Sequence, residues 1–304
     1  MESLNLAKLE TEQQNQKSLK IDRVSTKEML EMMNDEDLTV SKSVRKEIPT
    51  ISKIVDLVYT SLENGGRLFY IGAGTSGRLG VLDASECPPT FGVSYELVQG
   101  LIAGGEKAIL KAQEGVEDQP EEGKKDLISR NLTSKDVVIG IAASGRTPYV
   151  TGALNYAKEI GASSASISCV SKAKISEAAD IALEIITGPE IITGSTRLKA
   201  GTAQKMILNM ITTSVMIKLG KVYQNYMVDL QPTNKKLVSR AQEMIRDITG
   251  VDQSKAIELY EAANGHVKTA IMMELGGFSA DCARKQLELN KGHISRAIRK
   301  VEKE

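Results

Sequence analysis

A glycine-rich loop with two hydroxyl side chains is the first stretch of this sequence that could bind a ligand. The loop, Gly72–Gly77, follows the apolar run 68–71 and precedes a helical segment, so free backbone N–H groups and the positive end of a helix dipole converge there. Thr75 and Ser76 add donors for a terminal phosphate. A dinucleotide or a tight structural turn would also fit, but the acid that a dinucleotide site needs about 20 residues on is not evident. We therefore expect a phosphate monoester.

A second loop, Ala143–Pro148, repeats this arrangement after the apolar run 136–142. It carries Ser144, Gly145 and Thr147 ahead of a helix that its proline is suited to open. Two such turns at the end of one sheet suit the capture of a phosphoryl group from several sides. The alternative is that Ser144 and Thr147 serve only as helix caps.

Ser195 and Thr196 form a third candidate, because they stand at the start of a long predicted helix, 199–219. A helix N-terminus again favours an anion. Arg197 and Lys199 could add positive charge to the site or could equally be solvated.

Carboxylates are the groups that could transfer protons. Asp83 and Glu86 lie three residues apart on one predicted helical face. Next to Cys87 and two prolines, Glu86 would be partly desolvated, which would raise its pKa towards that of a usable acid. Glu117 belongs to the acidic run 114–122, which is typical of a solvated loop. For both glutamates an ordinary surface position remains an open alternative.

The composition narrows the class of protein. Lys+Arg and Asp+Glu both number 39, so no global field attracts nucleic acid or an anionic membrane, and no basic recognition helix is evident. Cys87, Cys169 and Cys282 lack metal spacing and indicate a reducing compartment. With only His266 and His293, a histidine triad or a zinc site is not expected. The polar N-terminal stretch and the lack of a membrane-length apolar run predict a soluble cytoplasmic protein.

Short apolar runs alternate with amphipathic segments, which predicts a doubly wound, mainly parallel α/β sheet with ligands at the carboxyl ends of the strands. Strands are expected at 68–71, 96–102, 136–142, 164–169 and 181–186. Helices are expected around them at 76–86, 105–113, 119–130, 147–160 and 199–219. Proline lacks an N–H donor, so Pro88-Pro89 should end the first of these helices.

The two ends of the chain are predicted to be helical, apart from a loose polar arm over residues 1 to about 20. The patterns place N-terminal helices at 26–33 and 40–62, and C-terminal helices at 234–248, 253–263, 266–275, 279–289 and 291–302. We therefore divide the chain into an N-terminal arm with helices (1–50), an α/β domain (51–232) and a small all-helical module (233–304).

The two serine- and glycine-containing loops resemble those of the sugar isomerase (SIS) domain, which binds phosphosugars. From about residue 20 onwards, further motifs resemble the N-acetylmuramic acid 6-phosphate etherase family, and DASECPP is its most distinctive segment. The motifs are DRVST (22–26), NDED (34–37), GAGTSGRLGVLDASECPPT (72–90), GLIAGGE (100–106), GIAASGRTPYV (140–150), TGSTRLKAGTAQK (193–205) and NYMVD (225–229).

This resemblance implies a lyase of cell-wall amino sugar recycling that eliminates D-lactate from a 6-phosphorylated amino sugar and adds water at C3, without metal or other cofactor. It implies Glu86 and Glu117 as the acid/base pair; we expect Glu86 to be the acid and Glu117 the base. It also implies a homodimer, with active sites near the interface. The expected phosphate-binding residues are Thr75, Ser76, Gly77, Ser144, Gly145, Thr147, Ser195 and Thr196.

Two other functions share parts of these motifs. An aldose–ketose phosphosugar isomerase would need the loops and a base but no leaving-group acid, and a phosphosugar-sensing regulatory protein would bind without turnover. The sequence also leaves open which cation would hold the lactyl carboxylate, since Arg78, Arg146, Arg197 and Lys199 all compete. The helical module could form dimer contacts, a lid or a partner-binding surface.

Overall fold

The computed structural model describes residues 9–230, 232 and 234–301. The start of the predicted arm, residues 231 and 233 at the predicted domain boundary and the end of the last predicted helix lie outside the described residues. The chain divides into two compact units. The first, here the sheet unit, comprises Met1–Ser85 and Tyr95–Thr212; the second, the helical unit, comprises Glu86–Ser94 and Thr213–Glu304. The three-part division made from the sequence stays a prediction.

A five-stranded parallel sheet forms the centre of the sheet unit, with the order β2-β1-β3-β4-β5. Its strands are β1 (Leu68–Gly72), β2 (Val98–Ile102), β3 (Val137–Ile141), β4 (Ser163–Ser168) and β5 (Ile181–Glu184). All five predicted strands are thereby confirmed. Gly72, the last residue of β1, pairs with Ile102 and Ile141. The loops after β1, β2 and β3 therefore leave the sheet at one edge.

Every residue of β1 and β3 is buried, as expected of central parallel strands that are covered on both faces. Phe69, Ile71 and Val138 belong to one core cluster with Tyr149 and Leu154 of a flanking helix. Burial of this continuous apolar surface is what holds the ends of the strands, and the loops that follow them, in place.

Helices precede, separate and follow the strands along the chain, and most of the predicted helix positions are confirmed. They are α1 (Thr26–Asp37), α2 (Val40–Lys46), α3 (Ile48–Glu63), α4 (Gly74–Phe91), α5 (Lys107–Leu110), α6 (Pro120–Ser129), α7 (Pro148–Glu159) and α8 (Lys199–Lys218). The single helix predicted over 40–62 is wrong, because the chain breaks at Glu47 and Pro49 opens a new helix there. The helix predicted over 105–113 is reduced to the four residues of α5.

Helix α4 does not end before Pro88-Pro89 as the sequence predicts; both prolines lie inside it. The prolines fall in the last turn, where the missing N–H donors remove only the final intrahelical bonds. The backbone N–H of Gly92, whose φ of +62° suits glycine, donates to the carbonyl of Pro88 and closes the turn. Cys87 and Phe91 are buried, so packing supports the helix past the prolines.

The described part of the polar arm that the sequence predicts to be loose is ordered. Thr11 is fully buried, and short 3-10 turns occupy Glu10–Glu12 and Gln16–Ser18. The Ser18 hydroxyl donates to the Ile191 carbonyl at 2.7 Å. Hydrogen bonds to distant backbone hold this segment, and such contacts leave no periodic pattern in the sequence.

The helical unit contains the five predicted C-terminal helices and a short hairpin that the sequence analysis missed. The elements are β6 (Val222–Tyr223), β7 (Tyr226–Met227), α9 (Lys235–Thr249), α10 (Gln253–Ala262), α11 (Val267–Gly276), α12 (Ala280–Leu289) and α13 (Ile294–Val301). Asp252 and Ser279 cap α10 and α12 by accepting from the backbone N–H groups of Lys255 and Cys282. His266 caps α11 by accepting from the Thr269 N–H, so this histidine has a structural role. None of the described helices is long and apolar enough to cross a membrane.

The contact between β2 and α4 gives the first testable prediction. A Cβ at Gly100 would lie 2.5 Å from Cα and 2.6 Å from N of Val81. Because neither backbone can move without separating the helix from the strand, we expect Gly100→Ala to lower the free energy of unfolding by about 1–3 kcal/mol. Urea unfolding followed by circular dichroism measures the change.

Gly201→Ala is the matched control, since this glycine lies inside α8 and an added Cβ would have only ordinary contacts, the nearest at 3.4 Å. Alanine is favoured over glycine in a helix interior, so this variant should gain up to about 1 kcal/mol. An unchanged urea midpoint for Gly100→Ala would show that α4 is not packed tightly on β2.

Candidate functional site

A cavity of about 1190 Å³ in the sheet unit brings most of the predicted site residues together. It lies at the carboxyl edge of the sheet, where the loops after β1 and β3 leave it. The predicted residues that line it are Thr75, Ser76, Glu117, Ser144, Thr147 and Thr196. Gly77, Gly145 and Ser195, although the structure describes all three, lie outside the lining.

The glycines of the first loop allow the start of α4 to lie close to the ends of β1 and β2. A Cβ at Gly77 would lie 2.6 Å from the Gly72 carbonyl oxygen and 2.6 Å from Ile102 Cγ1. Gly74 has a φ of +53°, in the left-handed region that favours glycine. Helix α4 can therefore begin two residues after the strand, with the next two side chains, Thr75 and Ser76, on the cavity.

The Ser76 hydroxyl is held by a residue that the sequence analysis did not single out. Ser76 is buried and its Oγ donates to Gln204 Oε1 of α8 at 2.9 Å. Gln204 is 1% exposed, and its Nε2 has no hydrogen-bond partner among the described residues. The two orientations of a side-chain amide exchange an acceptor for a donor at the same position. With the amide turned over, Nε2 would donate to Ser76 Oγ, which would leave the hydroxyl hydrogen for a ligand oxygen.

In the second loop, Gly145 shapes the backbone while Ser144 and Thr147 face the cavity. Gly145 has a φ of +68°, and a Cβ there would lie 2.4 Å from Ala173 Cβ. Thr147 occupies the N-cap position of α7, yet its side chain makes no capping hydrogen bond with the described residues. The alternative that Thr147 serves only as a helix cap is therefore wrong.

The third candidate differs from what the sequence predicts. The N-terminus of α8 does hold an anion, but the anion is Glu190 of the same chain. Its two carboxylate oxygens accept from the backbone N–H groups of Lys199 and Ala200, both at 2.9 Å. Glu190 is fully buried, and this burial raises its pKa although the two N–H groups act in the opposite direction. Only Thr196 of this segment lines the cavity.

Glu117 lines the same cavity with an exposed side chain on an anchored backbone. Its carbonyl accepts from the Tyr149 N–H, in the first turn of α7, at 3.0 Å. Nearby, a Cβ at Gly152 would lie 2.0 Å from the Pro120 carbonyl oxygen, so α6 and α7 pack through glycine. The acidic run is thus not a free loop at Glu117.

Glu86 belongs to the helical unit and is considered by itself. It lies on α4, three residues after Asp83, and its side chain is exposed. The partial burial expected from the neighbouring Cys87 and the two prolines is therefore wrong: Cys87 and Pro88 are buried, but Pro89 is exposed, as is Glu86 itself. Its assignment as a proton donor stays a prediction.

Asp83 is a buried carboxylate that joins the two helices next to the first loop. Its Oδ1 accepts from Asn209 Nδ2 at 2.8 Å and from Thr212 Oγ1 at 3.2 Å, both on α8. Burial raises the pKa of Asp83, although hydrogen bonds from Asn209, Thr212 and Tyr70 act in the opposite direction. Together with the Ser76–Gln204 bond, this contact fixes α4 against α8 within the sheet unit.

Comparisons with known proteins found matching family models, similar curated relatives and similar solved structures. Two family models match: the glucokinase regulatory protein N-terminal SIS domain over residues 50–158 and the SIS domain over 113–214. The N-acetylmuramic acid 6-phosphate etherase of Oceanobacillus iheyensis is 59% identical over 289 residues, which cover 95% of this chain and 98% of the relative. The enzyme of that name from Clostridium beijerinckii is 54% identical over 302 residues, 99% of each chain. Among solved structures, phosphoheptose isomerase GmhA from Neisseria gonorrhoeae is similar with a TM-score of 0.49 and 16% identity, covering 63% of this chain and 98% of that one.

The raised pKa of Asp83 gives a prediction about pH. A carboxyl group whose pKa is raised on folding contributes stability that is full below its unfolded pKa of about 3.9 and is lost as the pH rises through the folded value. Asparagine at this position carries no charge at any pH. We therefore expect the free energy of unfolding of Asp83→Asn, relative to the unmodified protein, to increase as the pH is raised from about 4. Urea unfolding over a series of buffers measures it.

Asp136→Asn is the control with the opposite sign. Burial would raise the pKa of Asp136, but hydrogen bonds from Arg67 and from the Thr133 backbone lower it on balance. Its contribution is present above the unfolded pKa and is lost only at lower pH. The difference between Asp136→Asn and the unmodified protein should therefore stay constant from about pH 5 upwards. A similarly constant difference for Asp83→Asn would contradict the pKa assignment.

Proposed function

Because the chain belongs to the N-acetylmuramic acid 6-phosphate etherase family, we propose that it cleaves the D-lactyl ether of N-acetylmuramic acid 6-phosphate. The products would be N-acetylglucosamine 6-phosphate and D-lactate, and the protein would act as a carbon–oxygen lyase in the recycling of cell-wall amino sugars. The observation that carries this proposal is the near-full-length identity of more than 50% with relatives of that name.

The reaction needs a base near C2 of the open-chain sugar. The C2 hydrogen is α to the aldehyde, so a carboxylate can remove it; the C3–O bond then breaks, and lactate leaves with a proton from an acid. Water adds to C3 of the unsaturated aldehyde and C2 regains a proton. We assign the base to Glu117, because it is the predicted carboxylate that lines the cavity with the phosphate-loop hydroxyls.

Phosphate capture is assigned to the hydroxyls of the two loops. Thr75 and Ser76 stand at the N-terminus of α4, and Ser144 and Thr147 stand at the N-terminus of α7. Hydroxyls and helix N-termini bind phosphate without a buried cation. Thr196 lines the same cavity, whereas Gly77 and Gly145 would contribute through backbone shape, and the role of Ser195 stays a prediction.

Glu86 is assigned as the acid that protonates the leaving oxygen. The family motif DASECPP supports the choice of residue, while the order of the two roles rests on our reading of the chemistry. The wider proposal includes a homodimer in the reducing cytoplasm. Exposed apolar side chains on α3 and α8, such as Ile48, Met210 and Ile217, are consistent with association, and all three cysteines are free.

The first test is turnover of N-acetylmuramic acid 6-phosphate in ¹⁸O-labelled water. We expect free D-lactate without label and N-acetylglucosamine 6-phosphate with ¹⁸O at C3, because water adds to the sugar after elimination. Label in the lactate would mean attack at the lactyl carbon and would exclude this mechanism. Interconversion of sugars without lactate would favour the isomerase, and binding without turnover would favour the sensor.

The glutamates are tested with matched substitutions. Glu117→Gln should lower kcat by about 10²–10⁴-fold, since general base help is lost, whereas Asp118→Asn, at the adjacent acid lining the same cavity, should change it far less. Exchange of the C2 hydrogen with deuterated water separates the roles. Glu86→Ala should stop lactate release but keep this exchange; loss of both would reverse the assignment of acid and base.

A further inference from the structure

We propose that Arg146 binds the lactyl carboxylate of the substrate and thereby sets the specificity of the site for the acidic ether. This inference rests on the proposed function. The substrate carries two anions, the phosphate at C6 and the carboxylate of the lactyl group at C3. The phosphate is assigned to hydroxyls and helix N-termini, so the second anion requires its own partner in the same cavity.

Two of the four cations that the sequence leaves open are already engaged. Arg78 donates from Nε to the Ile109 carbonyl at 2.8 Å and from Nη2 to the Ala108 carbonyl at 2.7 Å. These bonds fix the guanidinium against the backbone of α5. Lys199 is 3% exposed, and its ammonium group lies 2.5 Å from Glu36 Oε2. Withdrawing Lys199 would remove the buried partner of Glu36 Oε2 and leave this buried carboxylate with only the exposed Lys17 at its other oxygen, which is costly.

The other two cations differ in position. Arg197 is exposed and, within the part of the chain that the structure describes, does not line the cavity. Arg146 lines it, and its side chain makes no hydrogen bond or ion pair with any described residue. Arg146 is therefore the cation of the four that is both placed at the cavity and available to a ligand.

The position of Arg146 in the second loop fits the shape of the substrate. Ser144 and Thr147 have short side chains that would hold an anion close to the backbone, whereas Arg146, two residues after Ser144 and directly before Thr147, carries its charge at the end of a long side chain. The carboxylate lies on the far side of the sugar from the phosphate, so a long side chain on the phosphate loop is suited to reach it. The planar guanidinium also matches a carboxylate with two parallel hydrogen bonds.

The backbone places Arg146 near the proposed base as well. Tyr149, three residues after Arg146, donates its N–H to the carbonyl of Glu117 at 3.0 Å. The carbon that carries the lactyl group, C3, is bonded directly to C2, where the base acts. An anchor for the lactyl group must therefore lie close to the base, and the loop carrying Arg146 meets this condition.

Two further cations, Lys172 and Lys174, line the same cavity and are the rivals to exclude. Both lie on the segment that packs on Gly145, through the bond from the Ile175 N–H to the Gly145 carbonyl. An ammonium group is a point charge and lacks the fork that fits a carboxylate. We therefore assign the role to Arg146 and test the two lysines beside it.

The experiment compares two substrates in three proteins. The substrates are N-acetylmuramic acid 6-phosphate and its neutral lactyl carboxamide, and the proteins are the unmodified enzyme, Arg146→Gln and Arg146→Lys. The unmodified enzyme should prefer the acid in kcat/KM by about 10- to 100-fold, the range for a hydrogen-bonded charge pair. In Arg146→Gln this preference should fall close to 1, and Arg146→Lys should be intermediate. Affinity for N-acetylglucosamine 6-phosphate, which lacks the lactyl group, should be unchanged in both variants.

Lys158→Gln is the matched control, because it removes one positive charge from the exposed far end of α7, about 15 Å along the helix from its first residue. It should keep the full preference for the acid, and so should Lys172→Gln and Lys174→Gln. The proposal is overturned if Arg146→Gln keeps the preference, or if a lysine variant alone abolishes it. It is also overturned if affinity for N-acetylglucosamine 6-phosphate falls as much as affinity for the substrate, since Arg146 would then bind phosphate.

If the proposed function is wrong, the experiment gives a different result. In that case the unmodified protein would release no lactate from either substrate. The comparison is then made on dissociation constants for the acid and the carboxamide, measured by titration calorimetry. A preference for the acid that disappears in Arg146→Gln would support the anchor even without turnover, and an unchanged ratio would reject it.

Discussion

The close approach of Gly72 and Gly77 is the constraint on which the candidate site depends. A side chain at Gly77 would collide with the carbonyl oxygen at the end of β1, 2.6 Å away. Because Gly77 has no side chain, α4 can start within two residues of the fully buried strand β1. The strand cannot shift because it is paired on both sides, so the first turn of α4 is fixed at the edge of the sheet. The positions of Thr75 and Ser76 follow from this turn.

Helix α8 holds α4 in place through buried polar contacts. Gln204 meets Ser76, Asn209 and Thr212 meet Asp83, and Glu190 closes the N-terminus of α8 itself. Burying such groups costs free energy unless each is paired, so any register of α8 other than the native one would leave several of them without partners. An apolar contact of equal area would hold the helices together but would not select one register. The loop beside α4 is thereby kept in one arrangement.

The sequence predicts the features of the fold and the candidate site that depend on neighbouring residues, but it does not predict contacts between residues that lie far apart in the chain. The strands and the glycine loops can be predicted because their signals lie within a few residues of one another. Partners such as Ser76 and Gln204 are 128 residues apart, and nothing in either neighbourhood indicates the other. At the N-terminus of α8 the predicted preference for an anion is correct, but the anion is Glu190, which lies only nine residues before Lys199 in the sequence. The predicted end of α4 before Pro88-Pro89 is wrong because the burial of Cys87 and Phe91 outweighs the local tendency of proline to end a helix.

The distribution of charge in the cavity has a consequence for the proposed chemistry. If hydroxyls and helix N-termini neutralise the phosphate, no cation is consumed at that end of the substrate, and the guanidinium of Arg146 remains for the lactyl group. Negative charge develops on the lactyl oxygen as the C3–O bond breaks, so a cation held near that group favours the departing lactate over the bound ether. A cation placed at the phosphate would bind substrate and product equally well and would give no such advantage. Under the proposed assignments, neutral donors for the phosphate and a charged donor for the lactyl group would therefore favour the elimination of lactate.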